Sequence, residues 1–290
     1  MFKRVAIIGT GLMGGSLAAA LRARCHAAQR VGYGQEPDIS RAMILGLFDE
    51  RAESLGQAVS GADLVVLAAP VSVNCLLMKD VVSFLTADAV LTDLSSVKWP
   101  VEQAVRGCAD GAVLARFTAS HPVAGDDRAG PDAARPDLFD GREVVLCPLS
   151  ETATRTMLRL QQFWQMLGAR VTRMSASEHD RVFALVSHAP HAVAFAVAGA
   201  VAEDGRHGAD ENAVRAGDHA GPGLLDLTRI AGSDPALWTD ILLQNQQPAL
   251  QAVDAVLDRL GAIRQALQAG EHDALMALLQ IGAQWRRTRG

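Results

Sequence analysis

The feature that most constrains this chain is Gly9-Thr10-Gly11-Leu12-Met13-Gly14, a GxGxxG turn. It follows an apolar run over residues 4–8 and opens a helical pattern over residues 13–24. In that strand–turn–helix setting the motif is a dinucleotide fingerprint. Gly9 allows the tight turn, Gly11 lets the backbone approach a pyrophosphate, and Gly14 lets helix and strand pack closely. The helix N-terminus then offers free N–H groups and a positive dipole end to phosphates. Thr10, Leu12 and Met13 line the same turn.

A ribose-reading carboxylate belongs about twenty residues further on, at the end of the second strand. That position holds Gly34, then Gln35 and Glu36. Glu36 in the loop favours NAD. The missing acid, with Arg41 or Arg22 nearby, tolerates the extra phosphate of NADP, and the reading leans to NADP or to dual use.

The rest of the first half alternates apolar strands with helices. Strands are predicted over residues 30–33, 63–68, 90–94, 116–119 and 143–146, and a helix over 40–45. This pattern predicts an α/β Rossmann-type domain, an open and mainly parallel sheet with helices on both faces, over residues 1–173. From residue 174 to 290 the chain reads as helices: 178–202, 223–230, 235–260 and 262–285. This second, all-α domain is expected to bind substrate and to form a homodimer through its surplus apolar surface.

Composition excludes several classes. With 290 residues, 49% hydrophobic and 20% charged, the chain is neither disordered nor short of core. A formal net charge of -5 speaks against a nucleic-acid partner. Cys25, Cys75, Cys108 and Cys147 form no CxxC pair and read as reduced thiols of a cytoplasmic protein. The glycines at 9, 11, 14 and 15 interrupt what would otherwise resemble a signal sequence. Residues 182–202 are long enough for a membrane span, but Ser187, His188, Pro190 and His191 make a buried helical hairpin the better expectation.

Further motifs follow in order: Asp93-Leu94-Ser95-Ser96-Val97-Lys98, Ser120-His121-Pro122-Val123-Ala124-Gly125, Leu138-Phe139-Asp140-Gly141-Arg142, Ser187-His188-Ala189-Pro190-His191 and Asp226-Leu227-Thr228-Arg229-Ile230-Ala231, then Trp238 and Asn245. With the glycine turn, this series resembles the prephenate/arogenate dehydrogenase family over nearly the whole chain.

The resemblance implies an NAD(P)-dependent oxidoreductase of tyrosine biosynthesis. Its substrate, prephenate or alternatively arogenate, loses a hydride to nicotinamide and its ring carboxylate as carbon dioxide. His121 then resembles the catalytic histidine, placed in a His-Pro turn just after a strand and able to be neutral at working pH. Ser96 resembles the serine that orients it beside the cofactor, and as a bare sequence feature it equally reads as an N-cap for a helix starting at 97 or 98. Pro70 belongs to the cofactor side. Lys98 faces either nicotinamide or solvent. Arg229 resembles the carboxylate clamp, its guanidinium suited to two parallel hydrogen bonds. The apolar residues around it speak against a solvated face. Asp226 could pair with it. His188 and His191, three apart on one helix face, are implied to line the pocket, and no metal is required. A hydroxyacid-dehydrogenase reading needs a lysine in the helical half, and the lysines stop at Lys98. A non-catalytic cofactor-binding module would not need His121, Ser96 and Arg229.

Overall fold

A computed structural model describes residues 2–25, 28–125, 128–204 and 214–289. The first half runs β1 (Arg4–Ile8), α1 (Leu12–Arg24), β2 (Gln29–Tyr33), α2 (Asp38–Ile44), β3 (Glu50–Arg51), α3 (Leu55–Val59), β4 (Leu64–Leu67), α4 (Val71–Phe84), β5 (Val90–Asp93), α5 (Trp99–Arg106) and α6 (Gly111–Leu114). It continues through β6 (Thr118–Pro122), β7 (Glu143–Pro148), α7 (Thr154–Met166) and β8 (Arg170–Arg173). Strands β1 to β5 form one parallel sheet in the order β3-β2-β1-β4-β5. Its central strands are buried on both faces, as their unbroken Val/Ile/Leu runs require.

The single open sheet expected from the pattern is in fact two sheets. Strands β6, β7 and β8 form the second, with β6 antiparallel to β7 and β8 parallel to it. One parallel bridge, Leu91 to Phe117, and a 2.7 Å bond between the Thr92 and Ser120 hydroxyls join β6 to the edge of β5. The carboxyl end of β6 therefore lies beside the carboxyl end of β5, where an α/β sheet presents its ligands.

The helical half contains α8 (Ala176–Phe183), a π-turn at Ala184–His188, α9 (Ala189–Asp204), α10 (Pro222–Thr228), a 3-10 turn at Arg229–Gly232, α11 (Pro235–Gln244), α12 (Gln246–Ala269) and α13 (His272–Arg287). A capping box of Ser175 and Glu178 starts α8. Two long helices expected here are broken. Asn245 ends α11 because its amide turns sideways to the carbonyl of Asp180 and to His188. Gly270 ends α12 in the left-handed conformation, at φ 67°. Residues 182–202 are not a hairpin. The π-turn absorbs an extra residue without reversing the chain, so Ala176–Asp204 is one helical run. By length and composition that run could cross a membrane, and only 28% of its most apolar window is buried within the chain.

Candidate active site

The glycine turn has the geometry its residues demand. Gly9 has φ +106°, and a Cβ there would lie 2.6 Å from the backbone of Ala68 and Ala69. A Cβ on Gly14 would lie 1.9 Å from the Gly9 carbonyl. At Gly11 the nearest atom to an added Cβ is Asp38 Oδ2, 3.9 Å away, so the space is open for a ligand. Helix α1 begins at Leu12 with no side-chain cap on its N–H groups. Glycine at 34 is equally forced, since a Cβ would meet Thr10 Oγ1 at 2.6 Å. That hydroxyl is buried and has no hydrogen-bond partner among the described residues. These features fit a dinucleotide pyrophosphate and its flanking ribose.

Next to this turn, Gln35 is exposed and Glu36 is tied to Arg51 at 2.7 Å and to the Ser40 hydroxyl at 2.9 Å. Those bonds, Ser40 first, hold the Glu36 carboxyl below its ordinary range. The two arginines expected to meet an extra phosphate are engaged elsewhere: Arg41 with Asp132 at 2.8 Å, Arg22 with the Gly46 carbonyl at 2.7 Å. Pro70 is exposed and precedes α4. The N–H of Ser72 there donates to Asp240 Oδ2 from α11 at 3.1 Å, a tie between the two halves. Buried Asn74 joins the loops after β4 and β5 through Ala69 and the Ser95 hydroxyl, at 2.8–3.2 Å. Ser96 stands half-exposed on that shelf. It caps no helix: α5 starts at Trp99 and its N-cap position is Lys98, without a side-chain cap.

His121 is not in a turn but is the fourth residue of β6, paired with Val145 and 8% exposed. Its Nδ1 lies 2.7 Å from His179 Nε2, and His179 Nδ1 lies 2.7 Å from Asp180 Oδ1. Asp180 also accepts the N–H groups of Lys98 and Trp99, each at 2.8 Å. Phe183 packs on both rings, 4.7 Å from His121 and stacked 4.3 Å from His179. An ionised Asp180 makes His179 donate from Nδ1 and accept at Nε2. His121 must then donate from Nδ1, which leaves a lone pair on Nε2. Burial pushes the His121 imidazole well below its usual range, helped by His179, Lys98 and His188. His179 is pushed down to about 2, chiefly by burial. Burial raises the Asp180 carboxyl, against the two backbone N–H groups that lower it.

Lys98 does not face solvent. It is wholly buried, with Nζ 2.6 Å from Asp93 Oδ2 and from the Ser120 carbonyl. On the helical side, His188 is buried and its Nδ1 accepts from Asn245 at 3.0 Å. Burial brings it down to about 4. His191 stacks on Trp238, centroids 3.5 Å apart, and donates from Nδ1 to the Ser187 carbonyl at 2.8 Å. The two histidines do share a face, since both rings meet Trp238.

Arg229 opens the 3-10 turn after α10 and is exposed, contrary to the expectation of a sheltered face. Leu225 and Leu227 beside it are also exposed, at 57% and 50%, since none of the described residues covers that side. Its charge still reaches His191, lowering that ring after burial has done so. Asp226 is exposed, and among the described residues no ion pair joins it to Arg229. The series His121, His179, His188, His191, Arg229 thus leads from the end of β6 to a guanidinium that has no ion-pair partner among the described residues. His179, Asp180, Asp93 and Asn74 were not singled out for the site from sequence. Only the adjacency of His179 to a carboxylate hinted at them.

Residues 17–173 match the family described as prephenate dehydrogenase, nucleotide-binding domain, and residues 175–281 the one described as prephenate dehydrogenase, dimerization domain. The chain is 32% identical over 277 residues to the cyclohexadienyl dehydrogenase of Zymomonas mobilis, covering 95% of this chain and 92% of that one. Among solved structures it resembles prephenate dehydrogenase from A. aeolicus in complex with hydroxyphenyl propionate and NAD+, with TM-score 0.89, 30% identity and coverage of 100% and 99%. It also resembles Synechocystis arogenate dehydrogenase, with TM-score 0.80, 26% identity and coverage of 99% and 100%.

Proposed function

This chain belongs to the prephenate dehydrogenase family, and on that premise we propose that it converts prephenate to 4-hydroxyphenylpyruvate and carbon dioxide, with NAD+ as oxidant. The observation that carries the reading is the His121–His179–Asp180 chain at the end of β6, on the same carboxyl edge of the strands as the glycine turn after β1, with β4 and β5 between them. A dinucleotide held by its pyrophosphate at that turn would supply its nicotinamide as the hydride acceptor.

His121 Nε2 accepts the proton of the ring hydroxyl as hydride leaves the same carbon. The ring carboxylate then departs as carbon dioxide, its bonding electrons complete the aromatic ring, and His121 returns the proton to the phenolate oxygen. His179 and Asp180 fix the tautomer of His121 and offset the positive charge it gains, as the carboxylate does in a Ser-His-Asp triad. Ser96 shares the hydroxyl with His121 and steers it toward the cofactor. Arg229 clamps a substrate carboxylate, with Trp238 and His191 beside it and His188 as their buried support. Asp226 stands at the rim of that pocket.

Thr10, Gly11 and the uncapped start of α1 receive the pyrophosphate, and Glu36 the ribose hydroxyls. The loop around Glu36 also carries Asp38 and Glu53, and its arginines are all engaged by carboxylates or carbonyls. That balance supports NAD+ over NADP+, where the sequence leaned the other way. One observation favours arogenate as a second reading. His191 donates from Nδ1 to Ser187, so its Nε2 offers an acceptor that suits an ammonium better than a ketone. The exposed leucines at 225, 227, 250, 257 and 260 fit a homodimer formed through the helical half.

Initial rates with prephenate and arogenate, each with NAD+ and NADP+, test the assignment. The reading expects prephenate with NAD+ to have the highest kcat/KM. Inactivity with both substrates would leave only a dinucleotide-binding protein.

A further inference from the structure

The proposed reaction gives no direct task to the most secluded charges in the molecule. Lys98 and Asp93 are both fully buried and form an ion pair at 2.6 Å. Asp93 Oδ2 also accepts the Ser95 N–H at 2.9 Å, and Oδ1 accepts the Ser120 N–H at 3.2 Å. Lys98 Nζ holds the Ser120 carbonyl, and the backbone N–H of Lys98 holds Asp180 Oδ1. Asp180 holds His179, His179 holds His121, and His121 follows Ser120 in β6. The hydrogen bonds therefore close into a ring that joins the end of β5, the loop before α5, the end of β6 and α8. Stability does not account for the pair, because well-packed apolar side chains often serve a buried site as well as two desolvated charges.

We propose that Lys98 is a positioning residue for the reaction above, a buried cation that locks Ser120 and His121 to the end of β5 and sets the pH range over which His121 works. The inference rests on the reading of His121 as proton acceptor. His121 is bonded to His179 and packed on Phe183, both from α8; Lys98, from the loop before α5, holds the carbonyl of the preceding residue Ser120, and His188 from the π-turn acts at longer range. Asp93 stands behind Lys98, and Asp180 behind His179. Burial keeps His179 and His188 uncharged near neutral pH. Lys98 is then the fixed positive charge acting on His121, and the charge of its ion-pair partner Asp93 is shared with the N–H groups of Ser95 and Ser120. A cation beside an imidazole disfavours its protonation. Removing it makes His121 easier to protonate, so the acid limb of kcat/KM must move to higher pH.

The test is the pH profile of kcat/KM for the preferred substrate in the double variant Asp93→Asn/Lys98→Met, which leaves no unpaired buried charge, with NAD+ affinity measured in parallel. The acid limb should rise by about one pH unit while NAD+ affinity stays within about twofold. Lys98→Arg, which keeps the charge but not the shape of the head group, should leave the acid limb in place and lower kcat. If the double variant does not fold, Asp93→Leu/Lys98→Met replaces it. An unmoved acid limb in a folded, NAD+-binding variant overturns the proposal, and failure of both pairs to fold overturns it in favour of a purely structural role. A wild-type chain that turns over neither substrate would instead sink the functional reading.

Discussion

Replacing Asp180 by asparagine probes the chain behind His121 at its anchor. Three N–H donors converge on this carboxylate: His179 Nδ1 at 2.7 Å and the Lys98 backbone at 2.8 Å on Oδ1, and the Trp99 backbone at 2.8 Å on Oδ2. An amide has one acceptor oxygen and must point its NH2 at one of the two sides. If the oxygen stays with Trp99, the NH2 faces His179, which then moves its proton to Nε2. His121 Nδ1 must accept that proton's hydrogen bond, and the His121 proton relocates to Nε2, where it blocks the substrate hydroxyl. If the oxygen stays with His179, the Trp99 N–H loses its partner, at about 1–3 kcal/mol. The charge that offsets the developing imidazolium is lost in either case. The equivalent change in a Ser-His-Asp triad lowers kcat by about 10⁴ through the wrong tautomer. Here the carboxylate acts through one more ring, so the expected loss is about 10²–10⁴, or roughly 2.7–5.5 kcal/mol in the barrier. The assay is kcat at saturating substrate and NAD+, with NAD+ affinity and thermal unfolding as controls for the fold. A folded Asp180→Asn enzyme within about threefold of wild-type kcat would refute the reasoning.

Three other outcomes are expected. His121→Asn should bind NAD+ normally and lose about a hundredfold or more in turnover, and near-normal turnover would rule out the acceptor role. Arg229→Ala should raise KM for substrate by tenfold or more, since a charge-assisted clamp contributes about 1.5–3 kcal/mol, with kcat much less affected; a change in kcat alone would deny it the clamp. The neutral buried histidines also make stability depend on pH. Their folded pKa values lie below the unfolded 6.5, so the unfolded chain binds more protons as pH falls below about 6.5. The stability is present above that pH and is lost toward about 4 for His188 and about 2 for His179, at up to about 1.4 kcal/mol per pH unit per ring. Asp180, whose carboxyl is raised, opposes the trend in part. Urea unfolding should show a lower midpoint at pH 5 than at pH 7; equal midpoints would mean these rings are charged in the folded state.

What the sequence made legible was local. The glycine turn, the buried strands β1, β4 and β5, and the shift to helices near residue 174 each rest on neighbours along the chain. His121 was recognisable because it stands in a compact motif. The partners that give it a defined tautomer were not, since His179 lies 58 residues away and meets it only when α8 packs over the end of β6. The same holds for Lys98. A lysine in a polar loop reads as solvated until Asp93 and the Ser120 carbonyl are seen to enclose it. Asn245 has good helical neighbours on both sides, and only its bonds to His188 and Asp180 explain why the helix breaks there. Arg229 was expected to be sheltered by the leucines around it. Those leucines are themselves exposed, because no described residue of the chain packs over them.

The most direct measurement is a structure of this enzyme with NAD+ and an unreactive substrate analogue that keeps the ring hydroxyl. The account predicts that His121 Nε2 lies about 2.6–3.2 Å from the hydroxyl oxygen, with Nδ1 still held by His179 and a substrate carboxylate on Arg229. A hydroxyl bound away from His121, or a His121 ring turned so that Nδ1 faces the substrate, would contradict it.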